Sequence, residues 1–204
     1  MQNSKLIIKK NENRVVPIVW LDGKNQELTI EARLVGEGAS LNIFGVVLGD
    51  EDRQFTLHTN IYHQAPKTKS RVHIRGVLHG HAKFDNEGLI NIAKGARGAD
   101  GFFTAKVLLF DEAKGRSIPS LEIDENEVKA GHAATTGQVD RAMLFYLQSR
   151  GLSEKEAERL IVSGFFEPII AQLPERERQG VERQLTKQLN TSDGGEATTS
   201  TPPR

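Results

Sequence analysis

From about residue 5 to residue 130, apolar and polar positions alternate along the chain. In ELTIEARLV, Leu28, Ile30, Ala32 and Leu34 fall on one face and Thr29, Glu31 and Arg33 on the other. QFTLHTNIY places Phe55, Leu57 and Ile61 together, and RVHIRGVLHG does the same for Val72, Ile74 and Leu78. Successive strand side chains point to opposite sides, so each run predicts a half-buried strand. Further strands are predicted over Val15–Leu21, Leu41–Leu48, Leu89–Ala93, Phe102–Phe110 and Leu121–Ile123. Turn signals separate them: DGKN at 22–25, GEGAS at 36–40, GDED at 49–52, DNEG at 85–88 and ARGADG at 96–101. Short strands at this spacing, with no helical run between them, suit an antiparallel sandwich or barrel and equally a β-solenoid. The pattern alone leaves both open.

The period changes after Ala134. In QVDRAMLFYLQSRG, Val139, Met143, Tyr146 and Leu147 share one helical stripe, and Gly151 follows at the usual stop position. Ser153 and Glu156 form a capping-box signature, and Ala157, Leu160 and Ile161 give the next helix an apolar face that Gly164 is expected to end. A third helix is predicted from Pro174 to Asn190, with a thin stripe of Val181, Leu185 and Leu189. The tail from 191 to 204, rich in Thr, Ser, Gly and Pro, is expected to be disordered. The division is thus a β-domain over 5–133, a helical domain over 135–190 and the tail. His132 is expected in a small-residue turn at the first boundary.

Charge narrows the range of functions. The 204 residues carry 27 Lys+Arg and 27 Asp+Glu, a net charge of zero, so no global basic field draws nucleic acid or an anionic membrane. There is no cysteine, which excludes disulfides and thiolate metal sites within the chain. No apolar run approaches the roughly 20 residues a membrane span needs, and the N-terminal LII is too short for a signal segment. A cytoplasmic protein that binds neither nucleic acid nor membrane is expected.

The stretch LEIDENEVKAGHAATTGQVDRAMLFYLQSRGLSEKEAERLIVSGFF resembles the C-terminal signature of the SufB/SufD family, scaffold components of the SUF iron–sulfur cluster assembly machinery. TNIYHQAPKTKSRVHIRGVLHGHAKFDNEGLINI is similar to that family's β-core. The resemblance covers roughly Phe55 to Phe166. It implies a mainly β fold, a right-handed parallel β-helix capped by a small helical domain. It also implies that two such β-helices pair, that the C-terminal helices dock a SufC-type ABC ATPase, and that a transient cluster is built where the β-helices meet. The SufD-like contribution to that site matches His132. Where SufB relatives carry a glutamate after this histidine, the chain has Ala133; where SufD relatives commonly carry cysteine, it has Ala130. The chain is closer to SufD in these respects. Members are about twice this length, so a compact form is expected, pairing with a SufB-like partner or with itself.

Several residues are candidates for chemistry. His132 is flanked by Gly131, Ala133 and Ala134, small neighbours that admit a ligand or another backbone, and a neutral imidazole ligates iron. One histidine cannot hold a cluster alone, so other ligands must come from elsewhere. His73, His79 and His81 share parity and could form a metal site on one strand face. His63, before Pro66, is expected to fix a corner of the solenoid. GARGADG at 95–101 lacks the Lys-Ser/Thr of a phosphate loop and reads as a turn. Phe145, Tyr146, Phe165 and Phe166 exceed what two short helices can bury and form the expected docking face. The favoured expectation is a non-catalytic scaffold. A paralogue that kept the fold and lost cluster chemistry is one alternative, and a mononuclear metal-dependent enzyme using the three histidines is the other.

Overall fold

The structure is a computed structural model and describes residues 2–21 and 23–191. Ten strands come first: β1 Gln2–Ile8, β2 Asn13–Trp20, β3 Gln26–Leu34, β4 Ser40–Gly49, β5 Gln54–His63, β6 Lys69–Leu78, β7 Lys83–Ile92, β8 Asp100–Leu109, β9 Lys114–Ile123 and β10 Lys129–Gln138. Three helices follow: α1 Arg141–Ser149, α2 Glu154–Ile170 and α3 Glu175–Thr191. Odd strands form one five-stranded sheet in the order β1-β3-β5-β7-β9, and even strands form a second in the order β10-β8-β6-β4-β2. All pairings are parallel. This is a β-solenoid of five coils, two strands to a coil, and it settles the choice between sandwich and solenoid.

The coil length explains why no sequence repeat is visible. Leu28 pairs with Gln2, Ser40 with Asn13, Lys69 with Ser40 and Asp100 with Lys69, so the step varies from 26 to 31 residues. The corners absorb the variation. Along one corner Asn11 donates its N–H to the Glu37 carbonyl, Gly38 to Pro66, Lys67 to Arg97 and Gly98 to Glu127, each one coil apart. Asn11, Gly38, Lys67 and Gly98 all have positive φ. Glycine adopts this φ without strain at Gly38, where a Cβ would also come within 2.5 Å of the Asn11 Oδ1 and displace that side chain.

The alternating pattern builds the interior between the sheets. Phe55, Leu57 and Ile61 of β5 and Phe84, Ile90 and Ile92 of β7 are buried with Ile43, Val72, Ile74 and Phe103 from the other sheet. A second apolar layer lies on the outer face of the even-stranded sheet. There Phe44, Val46, Val77 and Phe110 pack with Val162, Phe166, Ile169 and Ile170 of α2 and Val181 and Leu185 of α3. The run Ile43–Val47 is therefore buried throughout, as expected of a parallel strand covered on both faces.

Three parts of the sequence reading differ: DNEG at 85–88, read as a turn, lies inside β7, and two boundaries move. Strand pairing continues past residue 133 to Gln138, so His132 lies inside a strand and not in a turn. Gly164 does not end α2, which runs on through Pro168 to Ile170 because its apolar face continues as Phe166, Ile169 and Ile170. The predicted capping box of Ser153 and Glu156 is formed, Gly151 takes the left-handed conformation after α1, and Asp140 caps α1 by accepting from the Ala142 N–H at 2.8 Å. Of the expected tail only Thr191 is described, as the last residue of α3; the rest lies outside the described residues.

Candidate functional site: the open rim of the solenoid

β9 and β10 form the last coil, and among the described residues nothing stacks on them. β10 is half-buried at Ala130 and Gly131 and exposed from His132 to Gln138. His132 pairs in register with Phe103, which is 1% exposed in the interior. Paired residues in a parallel ladder share a face, so His132 stands on the inward-facing row, at the rim where the interior opens to solvent. Thr136 confirms the orientation: its Cγ2 lies 3.1 Å from where a Cβ on Gly115 of β9 would be. Ser117, Pro119 and Leu121 occupy the matching inward row of β9, above Asn86, Gly88 and Ile90. Ser117 Oγ accepts from Asn86 Nδ2 at 3.0 Å.

The expectation that Gly131 admits a close neighbour holds, but the neighbour belongs to this chain. Phe102 lies so near that a Gly131 Cβ would come within 2.6 Å of its ring. On the ring sits the Arg71 guanidinium, 4.9 Å from the centroid. Arg71 in turn donates to the Asp100 carboxylate at 2.9 Å and to the Asp100 carbonyl at 3.0 Å. This clamp fixes the strand immediately before His132. The sequence signal for it was a lone exposed-parity phenylalanine opposite a glycine, which cannot be recognised until the register is known.

The other histidines are dispersed. β6 ends at Leu78, so His79 and His81 lie in the following turn and do not extend the strand face of His73. His73 stacks on Phe44 at 5.9 Å and His79 on Phe110 at 4.2 Å, and burial lowers the basicity of both. His81 is exposed, with Glu112 at 3.7 Å. Among the described residues no group of three or more His, Cys, Asp or Glu could hold a metal ion, so the expected three-imidazole face does not form. His63 is a corner residue, as its Pro66 context suggested. It is fully buried, with Nδ1 2.8 Å from Thr68 Oγ1 and Nε2 2.8 Å from Ser70 Oγ. Desolvation pushes its pKa down to about 4, so it is neutral at cellular pH. Of the 95–101 segment, the residues up to Ala99 form a corner and Asp100 and Gly101 open β8; Arg97 is paired with Glu127 at 2.7 Å and is not offered to a phosphate.

The four aromatic residues of the helices divide. Phe145 is 72% exposed and Tyr146 55%, and Met143 of α1 and Leu160 of α2 are exposed as well. No residue of α1 is buried. Phe166, expected on the docking face, is instead fully buried against the solenoid. Phe165 is half-buried, edge-on to Phe166 at 5.8 Å.

A parallel β-solenoid with an imidazole on its open rim and a helical appendage is the class of protein this geometry defines. The sequence matches the family described as "SUF system FeS cluster assembly, SufBD core domain" over residues 2–165. The chain belongs to the SufBD family and so to the proteins of iron–sulfur cluster assembly. Iron-sulfur cluster assembly protein SufD of Bacillus subtilis is 37% identical over 153 residues, covering 74% of this chain and 34% of that protein. One SufBD family iron–sulfur cluster assembly protein of Mycobacterium tuberculosis is 33% identical over 193 residues, 89% of this chain and 48% of the relative. Another from the same organism is 34% identical over 160 residues, 76% of this chain and 19% of the relative. The chain thus spans less than half the length of these relatives. No described helix is long and apolar enough to cross a membrane.

Proposed function

We propose that the chain is a non-catalytic scaffold subunit on which an iron–sulfur cluster, the cargo, is assembled at the open rim around His132. The observation that carries this reading is the placement of His132 on the inward row of the terminal strand, exposed, where a second solenoid would close the end. A neutral imidazole is a competent iron ligand, and the chain has no cysteine. The remaining ligands are supplied by a SufB-like partner, by a second copy or by added thiols, since clusters take about four ligands that are mostly thiolates. The unpaired edges of β9 and β10 favour such pairing, because a long exposed edge is a template for another strand.

A SufC-type ABC ATPase docks on α1 and the first half of α2. Met143, Phe145, Tyr146 and Leu160 support this: a helix that buries none of its own residues yet presents large apolar side chains fits a partner surface. The setting is cytoplasmic. The test is anaerobic reconstitution with iron and sulfide in the presence of the co-purified partners, read by visible absorption. Wild type develops cluster absorption and His132→Ala loses most of it. Recovery of no ABC ATPase from the native cell, with colourless spectra for both forms, counts against the proposal. Equal colourless spectra in a complex that does contain the ATPase favour the second reading, a paralogue that retains the fold and partners without the chemistry. The missing cysteine and Ala133 motivate that reading.

A further inference from the structure

Arg71, His73 and Arg75 are alternate residues of β6 and stand together on the outer face of the even-stranded sheet, since side chains along a strand point to opposite sides in turn. Register sets Thr104 of β8 beside His73, and Lys106 beside Arg75. Two hollows open on this strip. One is bordered by Arg71 and the other by Arg75 and Lys106, and both are lined by His73, Thr104 and Gln172. They therefore join into one groove between the sheet and the end of α2.

Charge in this groove is unbalanced, although the whole chain carries 27 Lys+Arg against 27 Asp+Glu. Arg71 is paired with Asp100. Arg75 donates to the Phe165 carbonyl, its guanidinium lies 5.1 Å from the centre of the Phe165 ring, and no acidic group offsets the burial that lowers its basicity. Lys106 is exposed and forms no salt bridge among the described residues. No carboxylate lines either hollow. His73 feels the excess: burial, Arg71 and Arg75 all make it less basic.

What the groove presents is mostly donors. Arg75 spends one of its N–H groups on Phe165 and keeps the others. Gln172 donates from Nε2 to the Pro168 carbonyl at 2.7 Å, which leaves its second amide hydrogen free. Lys106 and the Thr104 hydroxyl complete the set. A phosphate group carries three acceptor oxygens and a charge of about −2, which matches several donors and two unneutralised cations at once.

We propose that this groove is an anion site that takes a phosphate group, free or as an ester, with Lys106 and Arg75 as its charge partners and Thr104 and Gln172 as its neutral donors. It lies on the outer face of the sheet, whereas His132 stands on the inward row. It depends neither on cluster assembly at the rim nor on docking at the helices.

The test needs no partner chain. Inorganic phosphate is titrated into the protein at a constant ionic strength of about 0.15 M, which screens scattered surface charges. The imidazole resonances of His73, followed by NMR, shift saturably, and those of His58 on the other sheet stay in place. Lys106→Gln weakens binding by about tenfold or more, the loss expected for one charged hydrogen bond, and Thr104→Val weakens it less. Lys106 is exposed, so its replacement leaves the fold intact. Lys129→Gln, at an exposed lysine of the same sheet outside the groove, leaves the affinity unchanged. Phenyl phosphate separates the two sources: tighter binding of the ester marks a phosphorylated molecule as the occupant, and equal or weaker binding marks free phosphate. A shift of His73 that never saturates, a Lys106→Gln chain that binds as wild type does, or equal losses in Lys106→Gln and Lys129→Gln overturns the site.

Discussion

The ring of Phe102 fills the space where a side chain on Gly131 would stand, one strand away and one residue before His132. A methyl group at Gly131 must push the ring off the Arg71 guanidinium or lift β10 from β8. Overpacking of this kind costs about 1–3 kcal/mol. β10 has few other side-chain contacts, so we expect Gly131→Ala to loosen this strand before it unfolds the protein. Hydrogen exchange over 129–138 rises several-fold in the variant while exchange in β4 to β7 is unchanged. The double variant Phe102→Ala with Gly131→Ala restores protection in part, because the clash is gone.

His63 makes the fold acid-sensitive. Its pKa lies at about 4 in the folded chain and near 6.5 when unfolded. The unfolded state therefore takes up the proton first as pH falls. The stabilisation is complete above about pH 6.5 and is lost progressively down to pH 4, by about 3 kcal/mol for this group. His73 and His79, also lowered by burial, act in the same direction. Urea unfolding at pH 7 and pH 4 measures the difference. His63→Asn removes about one proton from the slope; an unchanged slope contradicts the buried neutral imidazole.

How much of this was legible in the sequence depends on the kind of information needed. Parity found the interior: Leu28, Ile30 and Ala32, or Phe55, Leu57 and Ile61, all face inward as read. Parity carries no pairing partner, so parallel and antiparallel arrangements were indistinguishable until family resemblance chose. The same limit hid the Phe102–Gly131 contact, whose residues are 29 apart and meet only through register. His79 and His81 share parity with His73, but the strand ends before them and the rule no longer applies. The end of α2 was misread because Gly164 and Pro168 look like stop signals, yet Phe166, Ile169 and Ile170 bury enough apolar surface to carry the helix past both.

The four aromatic residues of the helices separate stability from docking. Phe166 is fully buried, and truncating a buried phenylalanine costs about 3–5 kcal/mol. Phe145 makes no comparable contact, and a surface change of this type is worth within about 0.5 kcal/mol. We expect Phe166→Ala to lower the urea midpoint sharply. Phe145→Ala leaves the midpoint in place and weakens capture of the proposed ATPase partner by at least tenfold, the signature of an interface anchor. If Phe145→Ala binds like wild type, the proposed docking face lies elsewhere.

The free edge of β10 has a readable polarity. Lys129 donates its N–H to the Ala99 carbonyl and Val139 to the Leu109 carbonyl, so odd-numbered residues bond to β8. In a parallel ladder the intervening residues turn both backbone groups to the other side, here the unpaired one. Ala130, His132, Ala134 and Thr136 thus offer their N–H and C=O groups outward. Proline on an edge strand is tolerated where its missing donor faces away from the ladder. Ala134→Pro should therefore keep the fold while deleting one donor from the edge proposed to pair with a second solenoid. Ala133→Pro, one residue earlier, removes a bond to β8 and strips β10 from the sheet. Sedimentation of the complex with a SufB-like partner, or of the chain alone if it self-associates, distinguishes the two. Ala134→Pro gives folded, unassembled chain; if it assembles as wild type does, the partner does not add to this edge, and His132 is left on a rim that no other solenoid closes.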